Sequence, residues 1–252
     1  MSGHSKWSTI KHKKGKEDAK RGQLFSKMAR AITVAAKGGS DPDMNAALEN
    51  AIQKARDVNM PADNIERAIQ RGSGGADAVQ LDEITYEGYG PQGVAILVQV
   101  LTDSRNRAAA DMRSIFTHNN GNLSEVGSVG WIFEKKGSVV VPRRETIDEE
   151  GLFGIVVDAG ADDMVTEEDH WEVSTNPQQL AQVRKAIEEA GIEVSSSEIA
   201  MLPKTTVTLD KSAAKKVLKL IDLLEEHDDV QAVYANFDIP DEILQEVANE
   251  AA

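Results

Sequence analysis

Between residues 81 and 119 the chain lays down strand, strand and helix, and then breaks off before the sheet it has begun can close. The pattern predicts strands over 81–87 and 94–101, joined by Gly88-Tyr89-Gly90-Pro91-Gln92-Gly93. A helix capped by Asp103 or Ser104 then runs to about Asn119. Two strands and one helix leave a sheet without enough pairing to bury a face. A helix and a strand that would complete it come only at 211–226 and 230–236. The intervening sequence reads as a unit of its own. It has strands at 131–135 and 138–141 turned at Lys136-Gly137, a helix over 146–160, a strand near 171–174, a helix over 177–190 and a strand over 192–201. The expected fold class is therefore α+β with three domains. Residues 1–75 form a basic arm and a three-helix domain. Residues 79–129 and 204–240 form a discontinuous α/β domain, with 130–203 inserted into it. Both α/β domains are expected to be ferredoxin-like sandwiches, with helices on one face of an antiparallel sheet.

Ahead of the first strand the periodicity is helical. Leu24, Phe25, Met28, Ile32, Ala35 and Ala36 fall on one stripe of a helix over 17–37, and Gly38-Gly39 stops it. Lys20, Lys27, Arg30 and Lys37 lie on the opposite arc, while Arg21 lies within the apolar stripe, where the pattern does not account for it. A second helix over 44–58 takes Asp43 as its cap. A third starts with Pro61 in its first turn, ends at Gly72 and places Arg67 and Arg71 on one edge. Ser73-Gly74-Gly75 reads as a hinge.

Charge divides the same chain. Net charge over its 252 residues is −14, yet residues 1–37 carry ten Lys or Arg against Glu17 and Asp18. Residues 1–75 are net +6 and the remainder −20. The first fifteen residues have no apolar periodicity and hold Trp7, His4 and His12 among lysines. A solvated tail is the plain reading of such an arm. An arm that stacks Trp7 on a base while its lysines neutralise phosphates is the functional one. Candidate nucleic-acid contacts are His4, Lys6, Trp7, Lys11, His12, Lys13, Lys14, Lys16, Lys20, Arg21, Lys27, Arg30, Arg67 and Arg71, with Arg105 and Arg107 as a second patch.

Several chemistries find no support. With no cysteine, disulfides, thiolate catalysis and zinc ribbons are excluded. The five histidines have no helical metal-ligand spacing, and neither a nucleophile elbow nor a phosphate-binding loop motif occurs. Gly88, Gly90 and Gly93 spell G-x-G-x-x-G, but Pro91 interrupts it and a strand follows, so Gly88, Gly90, Pro91 and Gly93 are read as a hairpin turn. The acidic runs 148–150, 167–169 and 225–229 suit helix caps better than a Mg²⁺ site, which keeps a metal-dependent nuclease as a remote alternative. No metal, cofactor, catalytic residue or small-molecule substrate is predicted. The longest strongly apolar run, 94–98, is too short for a bilayer, which needs about 20 residues. No secretory h-region is present, and a cytoplasmic monomer is expected.

SGHSKW, DAKRG, NIERAI, YEGYGPQG, LTDSRNR, the GG-and-AD linker composition and GNL followed by GSV together resemble the YebC/PmpR family over nearly the whole length. The resemblance implies a helical N-terminal domain and two α/β domains, one inserted in the other, in a protein not established as an enzyme. It places the family's basic motif on Gly3, His4, Ser5, Lys6, Trp7, Lys20, Arg21 and Gly22, its turn motif on 86–91 and Gly93, and its helix start on Asp103, Arg105, Asn106 and Arg107. Ser104 stands where the family more often has Asn. The family includes bacterial probable transcriptional regulators and a mitochondrial translational activator of a cytochrome oxidase subunit. Two functions follow. One is ribosome or rRNA binding that helps elongation through difficult sequences, such as proline-rich ones. The other is promoter DNA binding. The first is favoured, because a strongly acidic remainder repels a bare duplex and no two-fold half-site geometry is evident.

Overall fold

The structure, a computed structural model, describes Trp7 and residues 17–74, 81–144, 146–167 and 169–250. Three helices come first: α1 (Glu17–Ala36), α2 (Ala46–Asp57) and α3 (Ala62–Gly72). They close on a small core of Ile32, Ala36, Leu48, Ile52, Met60 and Ile65, filled out by Ala55 and Ala68. So few bulky side chains let the helices approach closely. Where α3 meets α1, a β-carbon on Gly72 would lie 2.3 Å from the Thr33 carbonyl oxygen and 2.6 Å from the Ala36 β-carbon. Thr33 Oγ1 donates across the same contact to the Ala68 carbonyl at 3.2 Å.

The start of α2 differs from the expectation. Pro42–Met44 is a 3₁₀ turn capped by Asp41, and the helix begins at Ala46 with Asn45 as its cap. Asn45 can do what the expected cap, Asp43, cannot. Its oxygen accepts from Leu48 N at 3.1 Å while its amide donates to the Ala35 and Gly39 carbonyls, both at 2.8 Å. One amide thus ties the end of α1 to the start of α2, and a carboxylate has no N–H to offer.

The first sheet has the order β3-β1-β2-β9 and is antiparallel throughout. Its strands are β1 (Asp82–Tyr89), β2 (Ala95–Thr102), β3 (Asn122–Ser124) and β9 (Val230–Ala235). Helices α4 (Arg105–His118) and α7 (Lys211–Glu225) pack against it. Ala108, Met112 and Phe116 of α4 and Val217, Leu220, Ile221 and Leu224 of α7 meet Ile96, Val98 and Val100 of β2. Central position explains why AILVQVLT is apolar nearly without interruption. Ser104 occupies the cap position of α4 without a side-chain capping bond. A short parallel pair, β8 (Val207–Thr208) with β10 (Phe237–Asp238), and a closing helix α8 (Asp241–Glu250) add Phe237, Leu244 and Val247 to the same core. The segments β3, β8, β10 and α8 had no counterpart in the sequence reading.

The glycine-rich hexapeptide is a hairpin whose first members belong to β1. Gly88 pairs with Ile96 on one side and Leu123 on the other, and a β-carbon there would sit 2.6 Å from the Phe116 ring. The chain turns at Pro91–Gly93, where Gln92 and Gly93 take φ of 62° and 75°.

Residues Glu134–Leu202 form a separate compact unit. Its elements are β4 (Phe133–Pro142), α5 (Glu149–Asp158), β5 (Ala161–Thr166), β6 (His170–Thr175), α6 (Leu180–Glu189) and β7 (Ser196–Pro203). The order β5-β6-β4-β7 makes this the ferredoxin-like βαββαβ arrangement. In the first sheet the chain fills a similar four-strand antiparallel layout differently. There β1 and β2 take the centre as a hairpin, and α4 and α7 each lead to an edge strand. In the second unit two expectations are corrected. No hairpin forms at Lys136-Gly137, because β4 runs through both residues and Gly137 pairs with Thr175. A β-carbon on Gly137 would lie 2.8 Å from Thr175 Cγ2 and 3.1 Å from Leu180 Cβ, so glycine serves close approach rather than a turn. The edge strand β5 was missed because Asp162-Asp163 breaks its apolar alternation.

Candidate nucleic-acid interface

The residues expected to meet phosphate divide into three groups. His4, Lys6, Lys11, His12, Lys13, Lys14 and Lys16 lie outside the described residues, and Lys20 lies in the first turn of α1 with its side chain outside them.

Four others are engaged by partners within the protein, Lys27 and Trp7 buried, Arg30 34% exposed and Arg107 51% exposed. Gln23, Lys27 and Arg30 share one stripe of α1 at i, i+4 and i+7, and that stripe faces the end of α7 rather than solvent. Gln23 Nε2 donates to Asp228 Oδ1 at 3.1 Å. Lys27, 9% exposed, donates through Nζ to the Glu225 carbonyl. Arg30 Nη1 reaches the Asp228 carbonyl at 2.8 Å and Asp229 Oδ1 at 2.7 Å. The last carbonyls of a helix have no partner within it and carry the negative end of its dipole, so basic side chains satisfy them. Arg107 approaches from α4, with Nη2 2.9 Å from Asp229 Oδ2 and 2.7 Å from Asp103 Oδ1. Thr102 Oγ1 adds a bond of 2.9 Å to Asp229 Oδ2. Burial works against the Asp229 charge, but the bonds from Arg107, Thr102 and Arg30 outweigh it and hold the carboxyl below the usual range. Trp7 is the fourth. It is 6% exposed in the core of the first α/β unit, and its indole N–H donates to Asp222 Oδ1 of α7 at 3.0 Å. The sequence around Trp7 offered no local apolar partner, whereas α7, more than two hundred residues away, supplies one.

A third group stays at the surface. Arg105 pairs with Asp82 at 3.0 Å and remains 67% exposed. Arg21 is exposed near the start of α1. Arg67 and Arg71 flank a groove of about 190 Å³ between α1 and α3, floored by Phe25, Ala29, Met60 and Ala68.

One constellation escaped the sequence reading. Glu87, 6% exposed in β1, accepts from three backbone N–H groups, those of Gly127 at 2.8 Å, Val129 at 2.7 Å and Gly130 at 2.8 Å. Burial raises its proton affinity, and these bonds reverse the effect and leave the pKa lowered. The caged loop holds Trp131 68% exposed, its N–H fixed on the Ser128 carbonyl at 3.1 Å. The signal lay in the glutamate of YEGYGPQG and the glycines of GSVG.

The acidic runs have assigned partners. Asp148 caps α5 through Gly151 N, Asp169 pairs with His170 at 2.6 Å, and the run over 225–229 receives α1. Among the described residues no group of three His, Asp or Glu side chains is placed to hold a metal ion. No described helix is long and apolar enough to cross a membrane.

A helical N-terminal part and two α+β sheet units, with some basic side chains paired inside and others at the surface, define a class of multidomain α+β protein. Residues 5–75 match the TACO1/YebC N-terminal domain and residues 81–237 match the TACO1/YebC second and third domain, so the chain belongs to the TACO1/YebC family. It is 57% identical over 250 residues to a "Probable transcriptional regulatory protein" of Rubrobacter xylanophilus, covering 98% of this chain and 100% of the relative. A protein of the same description from Halothermothrix orenii is 54% identical over 253 residues, covering 99% and 100%. In three dimensions the chain resembles a conserved hypothetical protein from Aquifex aeolicus with a TM-score of 0.82 and 45% identity, over 92% of this chain and 96% of that one.

Proposed function

We propose that this chain is a non-enzymatic nucleic-acid-binding regulator of gene expression that acts on the ribosome. In this reading it contacts rRNA and assists elongation through difficult sequences such as proline-rich ones. The observation that carries it is the charge distribution: residues 1–37 hold ten basic side chains on a chain of net charge −14. Such a protein approaches a polyanion with one end only. Ribosomal RNA supplies unpaired segments for that end, and basic ribosomal proteins suit the acidic remainder. The arm residues His4, Lys6, Lys11, His12, Lys13, Lys14, Lys16 and Lys20, with Arg21, Arg67, Arg71 and Arg105, are the proposed contacts. Lys27, Arg30, Arg107 and Trp7 instead hold the platform together. We take residues 1–75, 79–129 with 204–240, and 130–203 as the three domains, in a cytoplasmic monomer.

Duplex DNA near promoters is the second reading, favoured by the description "Probable transcriptional regulatory protein" that the relatives carry. Sedimentation of lysate through sucrose at physiological salt separates the two. Comigration with ribosomes is expected. A peak confined to the top of the gradient, together with footprinted promoter DNA, would establish the DNA reading instead.

A further inference from the structure

We propose that the groove between α1 and α3 receives one unpaired nucleotide of a single-stranded RNA, an inference that rests on the nucleic-acid reading above. The groove has an apolar floor and a cationic rim. Phe25 is half-buried and Met60 is 6% exposed, and both pack into the helical core. Ala29 and Ala68 stand between them, and their small side chains leave the recess open. Arg67 and Arg71 rise beside it from α3, four residues apart and both exposed. The Arg67 guanidinium is already oriented, since Nε donates to the Asp63 carbonyl at 3.1 Å and Nη2 donates to Asn64 Oδ1. Among the described residues no carboxylate pairs with Arg71. Two like charges at this spacing repel, and an anion between them relieves the repulsion.

Each part of a nucleotide has a counterpart here. A guanidinium fork matches phosphate geometry, and the half-buried Phe25 offers apolar aromatic surface to a base. The volume of about 190 Å³ lies below the range of about 300–1,000 Å³ usual for larger ligands, so it suits one ring system. Paired bases are excluded. In an A-form duplex both faces of a base are covered by stacking, and only a splayed base can enter a recess.

Binding is read by fluorescence anisotropy of the full chain, with a labelled oligoadenylate, the same strand carrying abasic positions, and an RNA duplex. For the unmodified protein, removing the bases is expected to weaken binding about tenfold, as loss of one base–aromatic stack would. Ser26→Trp, at the exposed rim, fills the recess without disturbing Phe25 or Met60. It should erase the difference between intact and abasic strands and leave duplex binding unchanged. Arg71→Gln should weaken all strands that reach the groove while preserving the circular dichroism spectrum. Equal binding of intact and abasic strands by the unmodified protein overturns the nucleotide site and leaves the nucleic-acid reading standing. So does a Ser26→Trp protein that still tells the two strands apart. Failure to bind any of the three RNAs overturns the nucleotide site together with the RNA reading it rests on, and leaves only the duplex-DNA reading.

Discussion

Asp229 is 4% exposed and accepts from Arg30, Arg107 and Thr102, three side chains drawn from α1, α4 and the end of β2. A buried carboxylate survives only when its charge is matched, and here two guanidiniums match it. Asp229→Asn keeps the shape and removes the charge. It should lower stability by about 1–3 kcal/mol at pH 7, read from the midpoint of chemical denaturation. The sign with pH follows from the lowered pKa. The contribution is fully present above the unfolded carboxyl value of about 3.9 and fades as pH falls through the lower folded value. The gap between the two proteins should therefore close in strong acid. A gap that persists there would mean that the carboxylate charge is not what Asp229 supplies. Glu87 shows the same logic with backbone donors in place of guanidiniums, and its product is a rigid loop that holds Trp131 in solvent.

At the scale of elements, the helical part is held by one close crossing and one shared cap. Two glycines on its helices have opposite surroundings. A β-carbon on Gly72 would meet the Thr33 carbonyl at 2.3 Å, whereas one on Gly22, in α1, meets nothing within 4 Å among the described residues. Gly72→Ala is expected to cost about 1–3 kcal/mol by forcing α3 away from α1. Gly22→Ala is expected to gain up to about 1 kcal/mol from helix propensity. Thermal denaturation of the two variants, followed by the helical circular dichroism signal, tests the pair. A neutral Gly72→Ala would show that the crossing yields easily. The crossing also shapes the groove, because Thr33 and Ala68 meet just behind its floor. Elements with clear periodicity were legible in the sequence. These are most of the helices, the β1–β2 hairpin and the strands β6, β7 and β9. Those without it were not. Asp162-Asp163 disguised β5, Gly137 passed for a turn within β4, and β8 and β10 are too short to show a period.

For the whole molecule, the governing quantity is the separation of charge. In the proposed reading, the +6 segment would draw a polyanion and the −20 remainder would hold it away. Changing Lys11, Lys13, Lys14 and Lys16 to Ala should flatten the dependence of log affinity for single-stranded RNA on log salt, by roughly 0.7 for each phosphate no longer neutralised. The fold should be retained, since those residues precede Glu17, where α1 begins. An unchanged slope would remove the arm from the interface.

The sequence by itself determined the order of helical and strand segments along most of the chain. Apolar period, glycine stops and charge are properties of neighbouring residues, and they sufficed for a helical beginning, a ββα start whose closing αβ lies far downstream, and a basic end on an acidic protein. Only the tertiary structure decided which basic residues remain available. Lys27, Arg30 and Arg107 look equivalent to Arg67 and Arg71 in the sequence, because each is a cation on a polar helical face. What separates them is the end of α7, about two hundred residues from α1, whose bare carbonyls and Asp228-Asp229 engage the first set, burying Lys27 and leaving Arg107 half exposed. Trp7 was withdrawn from solvent in the same way, by a helix with no sequence neighbour in common. Pairing between distant residues is a property of the folded chain, and periodicity carries no record of it.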